Sequence, residues 1–121
     1  MQDKPRTMKP ILISALVAAS AALLPASLVA ADASENWTGH CAKCHGPDGA
    51  GKTKMGAKLK IRDLTSAEVQ KAFTDEQAIN SIKVGTKDEK SGKLAMPAFA
   101  EKLSDEEITA MVSLVRSMGP Q

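Results

Sequence analysis

Two cysteines three residues apart, Cys41 and Cys44, are followed directly by His45. On a helix, residues three and four positions apart share a face, so both thiols and the imidazole can point at one bound group. Such groups could form part of a zinc site, and the thiols alone could form a redox-active dithiol. However, the chain contains only two cysteines and two histidines, which leaves no second pair to complete four zinc ligands. The flanking residues predict a helix and a glycine-rich loop rather than the βαβ pattern expected around a redox dithiol.

The same spacing is the attachment pattern of c-type haem. In that chemistry each thiol adds across one vinyl group to form a thioether, and the histidine becomes the proximal ligand of the iron. We therefore predict one covalently bound haem c, attached through Cys41 and Cys44 and ligated by His45.

Two further segments carry a family resemblance. Residues 46–49 read Gly-Pro-Asp-Gly, and residues 96–99 read Met-Pro-Ala-Phe. With the cysteine motif, they make residues 33–119 similar to small monohaem class I c-type cytochromes. The resemblance implies an all-α, cytochrome c-like fold of three to five helices wrapped around one covalently bound haem, with the N- and C-terminal helices packed together. It also implies that Met96 is the distal iron ligand.

The position of Met96 suits that role, because proline disfavours helical geometry at the residue before it and an extended Met96 can project its thioether inward. Core packing is the alternative, since most methionines serve that purpose. The other candidates for the distal ligand are Met55, Met111, Met118 and His40. Two of these methionines fall on the apolar stripe of the last predicted helix, and His40 adjoins Cys41 and would point away from the distal face. Met55 is the main rival.

Residues 1–31 have the layout of a secretory signal peptide: a basic start, an uncharged apolar run over residues 11–24, and small residues before the predicted cleavage after Ala31 or Ala33. The alternative is a retained membrane anchor, which has the required length. Pro25 interrupts that run, and no basic cluster follows it. We therefore expect export to the periplasm, with anchorage to the inner membrane facing the periplasm as the alternative, and a single cytochrome c domain over residues 32–121.

Residues 32–121 balance 13 basic against 13 acidic side chains, because the formal charge of +2 comes from the first ten residues. The aromatic residues are Trp37, Phe73 and Phe99. With neither a basic excess nor aromatic surface for stacking bases, nucleic acid is not a predicted partner. A core so poor in aromatic residues would gain apolar bulk from a buried haem.

Helix patterns position these residues. We predict a first helix over residues 32–44 with Trp37 buried on the face of Cys41. Three N-caps with glutamate or glutamine three residues later follow: Thr65 with Glu68, Thr74 with Gln77, and Ser104 with Glu107. The last helix has an apolar stripe formed by Ile108, Met111, Val112, Val115 and Met118, and it should end at Gly119. We expect a backbone carbonyl of the first loop, within residues 55–58, to orient the His45 imidazole.

An iron ligated by both His45 and Met96 has no open position, so the predicted function is electron transfer by a monomeric carrier rather than catalysis. The alternatives are a haem c subunit of a larger redox enzyme, and a haem sensor or peroxidase with a labile Met96. The partners would be a redox donor and acceptor, with membrane contact only transient or through an uncleaved leader. Five lysines near the motif, Lys43, Lys52, Lys54, Lys58 and Lys60, could dock an acidic partner or simply form a solvated loop.

Overall fold

A computed structural model describes residues 32–121. The predicted signal peptide over residues 1–31 lies outside this range. The described residues are mostly helical, which confirms the predicted all-α class. The helices are α1 (residues 32–36), α2 (Ala42–His45), α3 (Lys54–Leu59), α4 (Ala67–Lys71), α5 (Asp75–Val84) and α6 (Asp105–Ser117). A hairpin of β1 (Thr86–Lys87) and β2 (Leu94–Met96) lies between α5 and α6.

The predicted first helix is interrupted by a π-helical turn, Trp37–Cys41, between α1 and α2. The Ala42 N–H donates to the carbonyl of Trp37, five residues back, instead of following the α-helical register. A π-helical turn shifts the angular position of every residue that follows it. Both cysteines lie on the helical segment, as predicted: Cys41 ends the π-helical turn, and Cys44 lies on α2.

The N-terminal segment packs against α6, as predicted. One core cluster contains Ala33 and Trp37 from the first segment, together with Leu103, Ile108, Met111 and Val115 from α6 and its approach. Trp37 is 5% exposed and Ile108 is fully buried. At the rim, the Asn36 side-chain amide donates to the Glu107 carboxylate at 3.4 Å. Burial of these apolar side chains is the main force that holds residues 33–37 against α6.

Two of the three predicted capping boxes are present, and the third was placed one residue too early. Thr74 with Gln77 starts α5, and Ser104 with Glu107 starts α6. In front of α4, the Asp63 carboxylate accepts both the N–H and the hydroxyl of Thr65, so this hydroxyl is turned away from the helix. Ser66 caps α4 instead, and the predicted box of Thr65 with Glu68 is therefore wrong.

Helix α3 was not predicted. Its N-cap is Thr53, whose hydroxyl accepts from the Gly56 N–H at 2.8 Å. The glycines at positions 51 and 56 suggested a loop, because glycine is a poor helix former. Thr53 three residues before Gly56 was the available signal, but a glycine cannot complete the side-chain half of a capping box.

Arg116 joins α6 to the junction of α4 and α5. Its guanidinium donates to the carbonyls of Gln70 and Phe73 and to the Asp75 carboxylate, and it lies 4.3 Å from the centre of the Phe73 ring. Gln70 in turn donates to the carbonyl of Val115 at 2.8 Å. These contacts fix the start of α5, and therefore the hairpin that follows it, relative to the core.

Candidate functional site

The π-helical turn and α2 bring the two thiols and the His45 imidazole to one short segment. Cys41, Cys44 and His45 are all half-buried, and both cysteines are free. Cys41 packs against the core cluster formed by the first segment and α6. Cys41 therefore lies at the edge of the apolar core, and the His45 ring lies 5.7 Å from the ring of Trp37 in that core.

The Cys41 thiol is not a reactive thiolate. Burial, with a smaller contribution from Cys44, raises its pKa to about 11. Redox-active dithiols instead depend on a lowered thiol pKa that supplies the attacking thiolate. This environment suits a cysteine with a structural or covalent anchoring role better than a dithiol oxidoreductase.

The His45 imidazole is held neutral and has an unused ring nitrogen. Burial lowers the pKa of His45, which favours the uncharged ring with a lone pair free to bind a metal. Its Nδ1 is buried and has no hydrogen-bond partner among residues 32–121. Buried polar atoms are nearly always paired, so an unpaired nitrogen on this side chain points to a site completed by a group other than these residues.

The predicted carbonyl for His45 is not found within residues 55–58. That segment is in α3, where the Gly56 and Ala57 carbonyls accept the N–H groups of Ile61 and Lys60. The prediction placed the acceptor in a loop, and a helical segment directs its carbonyls along its own axis instead. Because Nδ1 has no partner anywhere among residues 32–121, the predicted bond to a carbonyl of residues 55–58 is absent there.

The turn that follows His45 is fixed by contacts that the sequence did not reveal. The indole Nε1–H of Trp37 donates to the buried carbonyl of Gly46 at 3.0 Å, and the two rings of Trp37 and His45 lie 5.7 Å apart. The Gly51 N–H donates to the carbonyl of His45 at 2.7 Å. The hydroxyl of Thr53 donates to the carbonyl of Cys44, also at 2.7 Å. The first bond joins Gly46, directly after the motif, to the π-helical turn, and the other two join His45 and Cys44 to the loop before α3.

Met96 ends strand β2, opposite Thr86, and is therefore extended, as the following proline predicted. It is half-buried and packs against the same core cluster as Cys41. Met111 is 1% exposed in that core, and Met118 packs against Gly49, which confirms that both serve as core residues. Met55 is half-buried on α3.

His40 is exposed, and its ring meets the edge of the Phe99 ring with the centroids 5.8 Å apart. This contact places His40 next to the segment that follows Met96, which the sequence did not indicate. Because an exposed ring stays in contact with water, its position gives no sign of a ligand role.

The donor set fits a covalently attached haem. Two free thiols, a neutral imidazole with an unpaired nitrogen and a thioether are the groups that such a haem engages. Cys41 and Met96 both pack against the same apolar core, which suits the apolar faces of the macrocycle. Within residues 32–121, none of the helices combines the length and the hydrophobicity that a membrane crossing requires.

Comparisons with known proteins agree with this geometry. Residues 29–115 match the family described as cytochrome c oxidase, cbb3-type, subunit III. The chain is similar to cytochrome c6 of Bryopsis maxima, with 37% identity over 79 residues that cover 65% of this chain and 80% of that protein. It resembles the solved structure of KustC0563 c-type cytochrome at a TM-score of 0.64 and 36% identity, covering 74% of this chain and 99% of that one. A tyrosine-to-phenylalanine mutant of Kustc0563 matches at a TM-score of 0.61 and 37% identity, covering 72% and 98%.

The matched region contains the cysteine motif, the core helices and the Met96 segment together. The chain therefore belongs to this cytochrome family and is a small class I c-type cytochrome, the class of proteins defined by a covalently attached haem.

Proposed function

We propose that this protein is a periplasmic one-electron carrier, with haem attached through Cys41 and Cys44 and ligated axially by His45 and Met96. The observation that carries the proposal is the half-buried, neutral His45 with its buried, unpaired Nδ1, beside two free cysteines. When bound, the haem supplies an iron that exchanges one electron between its ferrous and ferric states.

The protein's own residues orient the two ligands. Trp37 and Gly51 donate to the carbonyls of Gly46 and His45, which fixes the backbone that carries the imidazole. Pairing of β2 with β1 keeps Met96 extended. If His45 and Met96 both bind the iron, substrate would have no site there, and the thioether would favour the reduced state. Electron transfer is the chemistry that remains.

A second candidate is a haem c subunit of a larger redox enzyme. The family description that matches this chain refers to an oxidase subunit, which favours this alternative over a sensor or a peroxidase. Osmotic shock of cells that express the full chain separates the two. Release of a monomer that lacks residues 1–31 or 1–33 supports the soluble carrier and signal cleavage, whereas retention in a membrane complex supports the subunit or an uncleaved leader.

The ligand assignment is tested by absorption spectra of the haem-loaded protein in both oxidation states. Wild type should show the weak charge-transfer band of methionine bound to ferric iron, and Met96→Ala should lose it. Met55→Ala is the matched control, because Met55 is the rival thioether and is also half-buried. Loss of the band in Met55→Ala, or its survival in Met96→Ala, would refute ligation by Met96.

The lysines near the motif support a proposal about partners. All five, at positions 43, 52, 54, 58 and 60, are exposed. A cluster of one charge sign raises the association rate with an oppositely charged surface, so we propose an acidic redox partner.

Electron transfer with an acidic redox protein should slow as salt rises, since the Debye length falls from about 30 Å at 0.01 M to about 10 Å at 0.1 M. Lys54→Glu/Lys58→Glu should slow the reaction at low salt. Lys90→Glu, in the exposed hairpin, is the control. A rate indifferent to salt and to the double substitution would refute this docking surface.

A further inference from the structure

The segment that contains Met96 is docked by its backbone onto the end of α5. The N–H of Phe99 donates to the carbonyl of Ile82 at 2.9 Å, and the N–H of Ala100 donates to the carbonyl of Lys83 at 3.3 Å. The last carbonyls of a helix have no partner within that helix. Here two of them are satisfied by the residues that follow Met96, so the end of α5 and the predicted ligand segment form one unit.

Gly85 is the point of closest approach in this unit. It follows α5 directly, with φ +77° and ψ 177°, a conformation that is essentially restricted to glycine. A Cβ at this position would stand 2.5 Å from the carbonyl oxygen of Met96 and 3.0 Å from the nitrogen of Ala98. Both are backbone atoms, so a side chain here requires the backbones of Gly85 and Met96 to move apart.

Other glycines with positive φ lack this combination. Gly92, in the hairpin, has φ +65° but no heavy atom within 4 Å of the place where a Cβ would stand. Gly46 has φ +83°, but the atom nearest to its Cβ position belongs to the side chain of Asp48, at 3.3 Å. Among these three, only Gly85 joins a restricted conformation to direct contact with the Met96 backbone.

We propose that Gly85 is a positioning residue for Met96: its missing side chain lets the Met96 segment lie against the end of α5, and this contact sets the thioether at the distal side of the haem. The inference rests on the proposed ligation by Met96. Displacing the Met96 backbone should increase the fraction of protein in which the thioether is off the iron, without changing the proximal ligand.

The experiment measures the affinity of free imidazole for the ferric, haem-loaded protein, together with the methionine charge-transfer band. Imidazole binds the distal position only when methionine leaves, so its apparent affinity is proportional to the fraction with Met96 off. Gly85→Ala should weaken the band and strengthen imidazole binding about tenfold or more. Gly92→Ala introduces the same substitution at a positive φ in open space and should leave both readouts unchanged.

The Met96→Ala background separates positioning from general destabilisation. If Gly85 acts through Met96, adding Gly85→Ala to Met96→Ala should leave imidazole affinity unchanged. An equal increase in both backgrounds, or no difference between Gly85→Ala and Gly92→Ala, would overturn the proposal. Met96→Ala alone tests the proposed ligation: a band that survives in this variant contradicts the ligand assignment, whereas a lost band with an ineffective Gly85→Ala contradicts only the role of Gly85.

Folding is monitored by far-ultraviolet circular dichroism. If Gly85→Ala does not fold, Gly85→Asn takes its place: asparagine is strained at ψ 177° as well, but its short polar side chain can hydrogen-bond the local backbone while it still presents a Cβ to the Met96 carbonyl. If both Gly85 variants fail to fold while Gly92→Ala folds normally, Gly85 is required for the fold itself, and the positioning role is overturned.

Discussion

The segment around His45 and the segment around Met96 are held in place by different contacts. Around His45, a tryptophan indole, a threonine hydroxyl and a backbone amide each bond a different carbonyl of residues 44–46. Around Met96, the contacts are backbone pairing with β1 and backbone docking on α5. The position of the His45 segment depends on particular side chains, whereas the position of the Met96 segment depends mainly on backbone hydrogen bonds.

The two regions also differ in their exposure to solvent, and the region near Met96 is the more exposed. Gly46, Gly49 and Gly56 are buried around the motif, whereas residues 87–94 of the hairpin are exposed. Local opening is easier where few apolar contacts are made and backbone hydrogen bonds face solvent. The comparison indicates that His45, the proposed proximal ligand, is fixed by a packed, buried turn, whereas Met96, the proposed distal ligand, adjoins the more open part of the fold.

Among the substitutions that test this comparison, the largest effect is expected at Gly56, which packs against the backbone around His45. A Cβ there would collide with the carbonyl oxygen of Gly51 and stand 2.9 Å from that of Cys44. Overpacking against fixed backbone should lower the free energy of unfolding by about 3 kcal/mol in Gly56→Ala. Urea unfolding followed by circular dichroism measures it.

Gly39→Ala is the control for this substitution, because no heavy atom lies within 4 Å of its Cβ position. It should leave stability unchanged or raise it by up to about 1 kcal/mol. Equal effects of the two substitutions would show that the backbone around Cys44 is not tightly packed.

A smaller loss is expected for Trp37→Phe. The substitution keeps an aromatic ring in the core but removes the Nε1–H, which leaves the Gly46 carbonyl with only the longer bond from the Gly49 N–H at 3.3 Å. Loss of the shorter of its two hydrogen bonds should lower the free energy of unfolding by about 1 kcal/mol. Thr38→Val, which removes an exposed hydrogen bond to Ser34, should change it by less than about 0.5 kcal/mol. A Trp37→Phe protein as stable as wild type would mean that this bond does not hold the turn.

The smallest effect concerns the pH dependence of stability at the contact between Asn36 and Glu107. The backbone N–H of Ser104, followed by the side chain of Asn36, lowers the pKa of Glu107 below its ordinary 4.5. A carboxylate with a lowered folded-state pKa stabilises the fold above its ordinary value and loses that contribution as pH falls through the lowered value. Wild type should therefore be more stable than Glu107→Gln at neutral pH, with the difference shrinking below about pH 4.

Urea midpoints across this pH range measure the effect, with Glu106→Gln, at the neighbouring exposed position, as the control. A difference between wild type and Glu107→Gln that stays constant down to about pH 3 would contradict the assignment.

The sequence by itself determined the chemistry and most of the helices. The spacing of Cys41, Cys44 and His45, the proline after Met96 and the capping boxes of α5 and α6 are local patterns, and local patterns specify local geometry. The cap of α4 was predicted at Thr65, but the hydroxyl of Thr65 bonds Asp63 instead. Helix α3 was not predicted, because the glycines near its start suggested a loop.

Only the tertiary structure decided which contacts hold the segments around His45 and Met96 in place. The bond from Trp37 to Gly46 and the contact between Gly85 and Met96 arise from how segments pack, and no period along the chain encodes them. Nothing in the sequence marked either glycine as a contact of the residues around the predicted ligands. Their closeness to the predicted ligands follows from the chain path, because burial of Trp37, Ile108 and Met111 in one core sets where each turn must lie.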